Sequence, residues 1–180
     1  GGLELIVESE GVVCATGTAR LLDRAEAPPL PTRIPPLPPA LDLRPTADET
    51  SLAPGTLLGI APHAIDAEQL QAYLDDVRET DPLYARERIV HPGQLLRLCN
   101  AALKDNVRLA PWIHTGSHVK SHALAHVGEV LSVRGHVAAN YERKGHRIVD
   151  LDLTLVADDT KVVAHVLHTA IYQLRHLGEA

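Results

Sequence analysis

His91-Pro92-Gly93-Gln94-Leu95-Leu96-Arg97-Leu98-Cys99-Asn100-Ala101-Ala102-Leu103 reads as a helix whose surroundings decide the fold. Pro92 is tolerated in a first helical turn, where a missing N–H costs nothing. Leu95, Leu96, Leu98, Cys99, Ala101, Ala102 and Leu103 then cover most of the circumference. A helix that apolar is expected to be buried almost all round, so the rest of the chain must enclose it.

The cover lies downstream, where everything after Pro111 reads as extended chain. Val133, Val137, Ala139 and Tyr141 alternate against Arg134, His136 and Asn140; Glu142 to Gly145 turns the chain; Val149, Leu151, Leu153 and Leu155 then alternate against Asp150, Asp152 and Thr154. Asp158-Asp159 turns it again into Lys161 to Leu174. This is the two-residue period of strands with one buried face, and short connections make them antiparallel. A further strand is expected around Trp112 to His122. Sheet and helix together give an α+β domain in which the strands wrap the helix.

Upstream, Pro54-Gly55 precedes an expected strand over Thr56 to Ile60. Asp66 then stands at an N-cap position before a helix over Ala67 to Val77, with Leu70, Tyr73, Leu74 and Val77 on one face. A loop carrying Asp81-Pro82 follows. At the other end of the chain, Leu3 to Glu8 and Val12 to Leu21 flank Ser9-Glu10-Gly11 and predict a β-hairpin, which must dock on something because an isolated hairpin is marginal in water. Pro28, Pro29, Pro31, Pro35, Pro36, Pro38 and Pro39 predict an extended polyproline connector lying across the surface, with a docking motif for a proline-binding module as the alternative. The organisation expected is a hairpin over 1–22, a proline-rich linker over 23–54 and the main domain over 55–176.

Composition bounds the function. The 180 residues carry 17 Lys+Arg against 23 Asp+Glu, a net charge of −6, and no basic run that could follow a phosphate backbone, so nucleic acid is excluded as a partner. No apolar run approaches the ~20 residues of a membrane-spanning helix, which points to a cytoplasmic protein. Cys14 and Cys99 have no metal-like spacing and are expected to be small core residues. The opening Gly1-Gly2 and the absence of methionine read as a trimmed chain or a piece of a longer one.

Glu79-Thr80-Asp81-Pro82-Leu83-Tyr84, followed by Ile89-Val90-His91-Pro92-Gly93 and the helix, resembles the signature of the MaoC-like hydratases and dehydratases of the hotdog fold. There an Asp, a residue, then Asn-Pro-aliphatic-His is followed by Ile-Val-His-Gly at the helix start. Val127-Gly128-Glu129 and Tyr141-Glu142-Arg143-Lys144-Gly145 extend the resemblance, which covers residues 55 to 175. It implies a curved antiparallel sheet around a central helix and water addition to, or removal from, an enoyl thioester of CoA or a carrier protein. No metal or further cofactor is implied. A homodimer or larger assembly is. Val12 to Ala19 resemble the closing strands of a hotdog sheet, so the hairpin over 1–22 is read as the end of a preceding hotdog unit whose partner lies upstream or in another subunit.

Carried over by position, the family's catalytic Asp falls on Glu79, its Asn on Asp81 and its catalytic His on Tyr84. Two of the three have changed type, and a phenol with an ordinary pKa of about 10 is no substitute for imidazole as a base. The resemblance makes Glu79 the candidate base, Asp81 and His91 positioners of water or substrate, and the Gly93 N–H a donor to the thioester oxygen, since a helix N-terminus offers free N–H groups and a positive dipole end. Two alternatives stay open: a hotdog thioesterase, with Glu79 or Asp81 directing water at the carbonyl, and a non-catalytic acyl-binding or partner subunit.

His114, His118, His122 and His126 recur every four residues. In a strand such residues share a face but stand about 13 Å apart, too far for one ion, so they are expected to be exposed or paired across strands. His165 and His168 on the last strand are read as structural.

Overall fold

The computed structural model of the chain describes residues 2–21 and 28–175. The expected junction at 22–23 and the end of the main domain at 176 lie outside the described residues. Three α-helices are present among them, α1 (Ala67–Val77), α2 (Leu83–Glu87) and α3 (Pro92–Lys104), with a 3₁₀ turn over Leu41–Leu43. The strands are β1 (Gly2–Ser9), β2 (Val12–Arg20), β3 (Leu57–Gly59), β4 (His63–Ala64), β5 (Ile113–Ser121), β6 (Val130–Arg143), β7 (His146–Ala157) and β8 (Lys161–Gln173). β1 and β2 form a sheet of their own, and the main sheet runs β3-β6-β7-β8-β5, with β4 also pairing β6.

The long strands follow from the alternation read in the sequence. The turn between β6 and β7 is tighter than expected: Glu142 pairs Arg147 and Arg143 pairs His146. Only Lys144 and Gly145 are left to reverse the chain, both at positive φ (52° and 77°), which suits the twist of a two-residue hairpin loop. Leu131, Val133 and Val137 of β6, Leu151, Leu153 and Leu155 of β7, and Ala164, Val166 and Ala170 of β8 make one buried cluster with Cys99, Ala102 and Leu103 of α3. Asn106 ties the end of α3 to the sheet edge, its Nδ2 donating to Gly59 O at 2.7 Å and Ala102 O at 2.8 Å.

The helix is central but not buried all round. Cys99, Ala102 and Leu103 are fully enclosed, whereas Leu95, Leu96, Leu98 and Ala101 are half-buried and Arg97 and Lys104 face out. The sheet covers one side of α3; on the other, Arg97 reaches Asp76 of α1 and Arg44 donates to Lys104 O. The Asp81-Pro82 segment also differs from a plain loop, because Pro82 caps the short helix α2.

The proline-rich stretch has no helix or strand over residues 28–40, and it rests on the sheet edge. A Cβ added at Gly59 would lie 2.9 Å from Pro35 Cβ and 3.0 Å from Val133 O. Gly59 is therefore the seat on which Pro35 is laid. Gly59→Ala is expected to cost about 1–3 kcal/mol by overpacking, measured as a lowered urea midpoint with an unchanged slope.

The hairpin β1–β2 differs from expectation in one respect. It forms over the expected runs, but every described position in it is exposed. Cys14, read as a core residue, is exposed with it, while Cys99 is buried and its thiol is pushed up to about 12 by burial.

Candidate functional site

The site is built where α1 ends, α2 turns and α3 begins. α1 starts with a reciprocal cap, Asp66 accepting from the Gln69 N–H and Gln69 returning a contact to the Asp66 N–H. It stops at Arg78, whose left-handed φ of 55° turns the chain, and the Glu79 N–H then donates to Leu74 O at 2.9 Å. Glu79 is thereby held at the exit of the helix. Its Oε1 accepts from the Asp81 N–H at 2.8 Å, and Asp81 Oδ1 accepts from the Leu83 N–H at 2.9 Å, which starts α2. These two carboxylates fold the motif locally.

His91 is the N-cap of α3. Its Nδ1 accepts from the Gly93 N–H at 3.0 Å, in place of the Ser or Asp oxygen more often found there. Accepting at Nδ1 puts the proton of a neutral ring on Nε2, which stands 3.5 Å from Glu79 Oε2. The two side chains are 19% and 25% exposed, so the pair is partly withdrawn from water. The imidazole lies between two phenols, Tyr84 with its ring centroid at 4.6 Å and Tyr73 at 5.2 Å. Burial, then the charges of Glu79 and Asp81, raise the pKa of Tyr84. Its hydroxyl stays protonated at neutral pH.

Of the residues singled out in the sequence, Glu79, Tyr84 and His91 converge. Asp81 is exposed and its carboxylate is engaged with the Leu83 N–H. Gly93 stands in the first turn as expected, but its N–H points to His91 and the next two N–H groups both reach His91 O, at 2.9 and 3.3 Å. The start of α3 offers no unengaged N–H among these three while His91 keeps this rotamer.

Tyr73 is the residue that the sequence reading assigned only to the core face of α1. Its hydroxyl sits over Gly93, where a methyl group would collide with it, and the Arg97 guanidinium lies 4.5 Å above its ring. No spacing signal separates such a tyrosine from a core residue. Beyond it opens a cavity of about 310 Å³, lined by Ile65, Ala72, Tyr73, Gln94, Arg97 and Leu98 among others. Gly93→Ala is expected to cost about 1–3 kcal/mol, most of it regained in the double variant with Tyr73→Phe, which removes the colliding oxygen. A thermal-melt double-mutant cycle checks this coupling.

The histidine series lies on and just beyond β5. His114 stacks on His168 of β8 with ring centroids 4.2 Å apart, and Ser117 Oγ stands 2.9 Å from both His114 Nε2 and His168 Nδ1. His165 pairs with Asp152 at 2.7 Å. Among the described residues, no group of three His, Cys, Asp or Glu side chains could hold a metal ion, and no helix is long and apolar enough to cross a membrane.

No protein-family model matches the chain, and no curated protein does. Solved structures do. The (R)-hydratase from A. caviae involved in PHA biosynthesis aligns over 67% of this chain and 97% of its own, with a TM-score of 0.57 and 18% identity. The MaoC-like dehydratase from Rhodospirillum rubrum aligns over 71% and 97%, at 0.54 and 18%. The HadBC (3R-hydroxyacyl-ACP dehydratase) complex from Mycobacterium tuberculosis aligns over 66% and 96%, at 0.55 and 16%. The chain has the hotdog fold that these MaoC-like dehydratases and (R)-hydratases share.

Proposed function

We propose that the chain is an acyl-thioester hydratase or dehydratase whose acid–base pair is Glu79 and His91. The observation that carries this is the contact of His91 Nε2 with Glu79 Oε2 at 3.5 Å, half-buried at the start of the central helix. Water addition to an enoyl thioester needs one group to take a proton from water as its oxygen joins the β-carbon, and another to deliver a proton to the α-carbon. Glu79 carboxylate serves the first role and His91, entering as the imidazolium, gives its Nε2–H in the second and is left neutral; Glu79 then passes the water proton to His91 across their contact, and the reverse steps give dehydration. The negative charge that gathers on the thioester oxygen needs a donor. Tyr84 supplies it with the proton its raised pKa retains, and the Gly93 N–H joins only if His91 turns its Nδ1 away. The substrate is a thioester of CoA or a carrier protein, and the active form is a homodimer or larger assembly, the commonest symmetry for such proteins.

A second reading, a binding or partner subunit without activity, is favoured by the engaged N–H groups at the start of α3. Crotonyl-CoA and a longer enoyl-CoA separate the readings when enoyl absorbance and free thiol are followed together. Loss of absorbance without thiol identifies a hydratase, and thiol release a thioesterase in which the same pair directs water at the carbonyl. Silence in both channels from folded protein overturns the enzymatic reading for these substrates. Sedimentation equilibrium tests the assembly, and a monomer throughout counts against it.

A further inference from the structure

The hairpin β1–β2 repeats the pairing register of the hairpin β7–β8. Their registers superimpose rung for rung. Leu3↔Ala19, Leu5↔Gly17 and Val7↔Ala15 in one correspond to Leu151↔His168, Leu153↔Val166 and Leu155↔Ala164 in the other. Past Val7 the register of β1–β2 skips Cys14, so that Glu8 pairs Val13; past Leu155 that of β7–β8 skips Val163, so that Val156 pairs Val162. The alternate rungs agree too: Glu4↔Thr18 with Asp152↔Leu167, and Ile6↔Thr16 with Thr154↔His165. The loops differ by a single residue, Glu10-Gly11 against Asp158-Asp159-Thr160. A bulge inserts an unpaired residue and bends the ribbon, so two hairpins with the bulge on the same rung curve alike.

What differs is cover. Leu151, Leu153, Leu155, Ala164, Val166 and His168 are all buried in the cluster that encloses α3 or beside it. Their counterparts Leu3, Leu5, Val7, Ala15, Gly17 and Ala19 form an unbroken apolar face, and all are exposed, Leu5 by 54% and Leu3 by 68%. The opposite face is mixed, carrying Glu4, Glu8, Thr16 and Thr18 together with Ile6 and Val13. Both edges of the two-stranded sheet are also unpaired, whereas β7 and β8 are the inner strands of theirs, flanked by β6 and β5.

We infer that β1–β2 is the inner strand pair of a second hotdog sheet, and that its apolar face is covered by the central helix of that second unit. The chain's own α3 is not the occupant, in this copy or another, because its fully buried side chains, Cys99, Ala102 and Leu103, are already packed in the cluster with β6, β7 and β8 and its outer arc carries Arg97 and Lys104. The small residues Ala15, Gly17 and Ala19 stand where Ala164, Val166 and His168 meet the first core. The covering helix therefore approaches β2 more closely, or carries bulkier side chains, than α3 does against β8.

A photo-crosslinking residue introduced at Ala19 or, as a control on the opposite face, at Thr18, tests this in the protein expressed in its own cell, with the adduct mapped by mass spectrometry. The expected result is an adduct from position 19 on an apolar helix outside residues 28–175, at least tenfold above that from position 18, and lost in Leu5→Asp while the melting of the main domain is unchanged. An adduct from position 19 that falls within residues 28–175, in the same or another copy, overturns the inference. So do equal yields from the two positions.

Discussion

Glu79→Gln is expected to lower enoyl-thioester turnover by about 10²–10⁴-fold, the usual contribution of a positioned acid or base, with little change in melting temperature. The amide keeps an oxygen to accept from the Asp81 N–H, a bond now made by Oε1 at 2.8 Å, so the turn between α1 and α2 survives. It cannot take a proton from water. Glu79→Ala removes that bond as well and should lose stability along with activity, which makes the pair of variants diagnostic: a rate loss common to both, with a stability loss in only one, assigns the carboxylate to chemistry. His91→Gln should depress the rate comparably but also weaken the cap of α3, by about 1 kcal/mol. Equal turnover in wild type and Glu79→Gln would remove Glu79 from the mechanism and return the function to binding.

The fold was legible because its two decisive elements carry strong periods. The run Leu95 to Leu103 reads as a helix with an apolar face to cover, and the alternation from Val133 to Leu155 as strands with one buried face. Hidden from the sequence was how much of α3 the sheet reaches: composition shows that a side chain is apolar but not which arc meets a partner, and Leu96 and Leu98 read no differently from Leu103. The candidate site was legible in part. Glu79, Tyr84 and His91 were found through a positional resemblance and do converge, but the engagement of the Gly93 N–H depends on a histidine rotamer, which no spacing encodes. Tyr73 went unassigned because its helical position beside Leu70 and Leu74 explains it fully as core. The repeat of β7–β8 in β1–β2 escapes residue comparison because only scattered positions are identical, Leu3, Leu5, Val13 and Ala15 against Leu151, Leu153, Val162 and Ala164; it lies in the pairing register and the shared bulge.

Acid should unfold the main domain early, and His168 is the reason. The ring is fully buried on the face of β8 that meets the core, opposite Leu151 on β7. Its Nδ1 meets the Ser117 hydroxyl, His114 stacks on its plane, and its Nε2 has no hydrogen-bond partner among the described residues. Burial first, and the neighbouring charge of His114 second, lower its pKa from 6.5 to about 4. A neutral ring costs the fold nothing extra above pH 6.5, where the unfolded chain is neutral too. Between 6.5 and 4 the unfolded chain takes up a proton that the folded one refuses, so stability falls with pH through that window. At ~1.4 kcal/mol per unit, the loss approaches about 3 kcal/mol, a large part of what holds a domain of this size. His168→Leu should abolish this slope, so that the urea midpoint changes far less from pH 7 to pH 4.5 than in wild type, whatever the variant's stability at pH 7. His114→Gln removes the stacked neighbour but leaves His168 buried, and should keep most of the slope. An acid slope retained in His168→Leu would place the sensitive group elsewhere. A slope lost in His114→Gln alone would mean that charge, not burial, dominates.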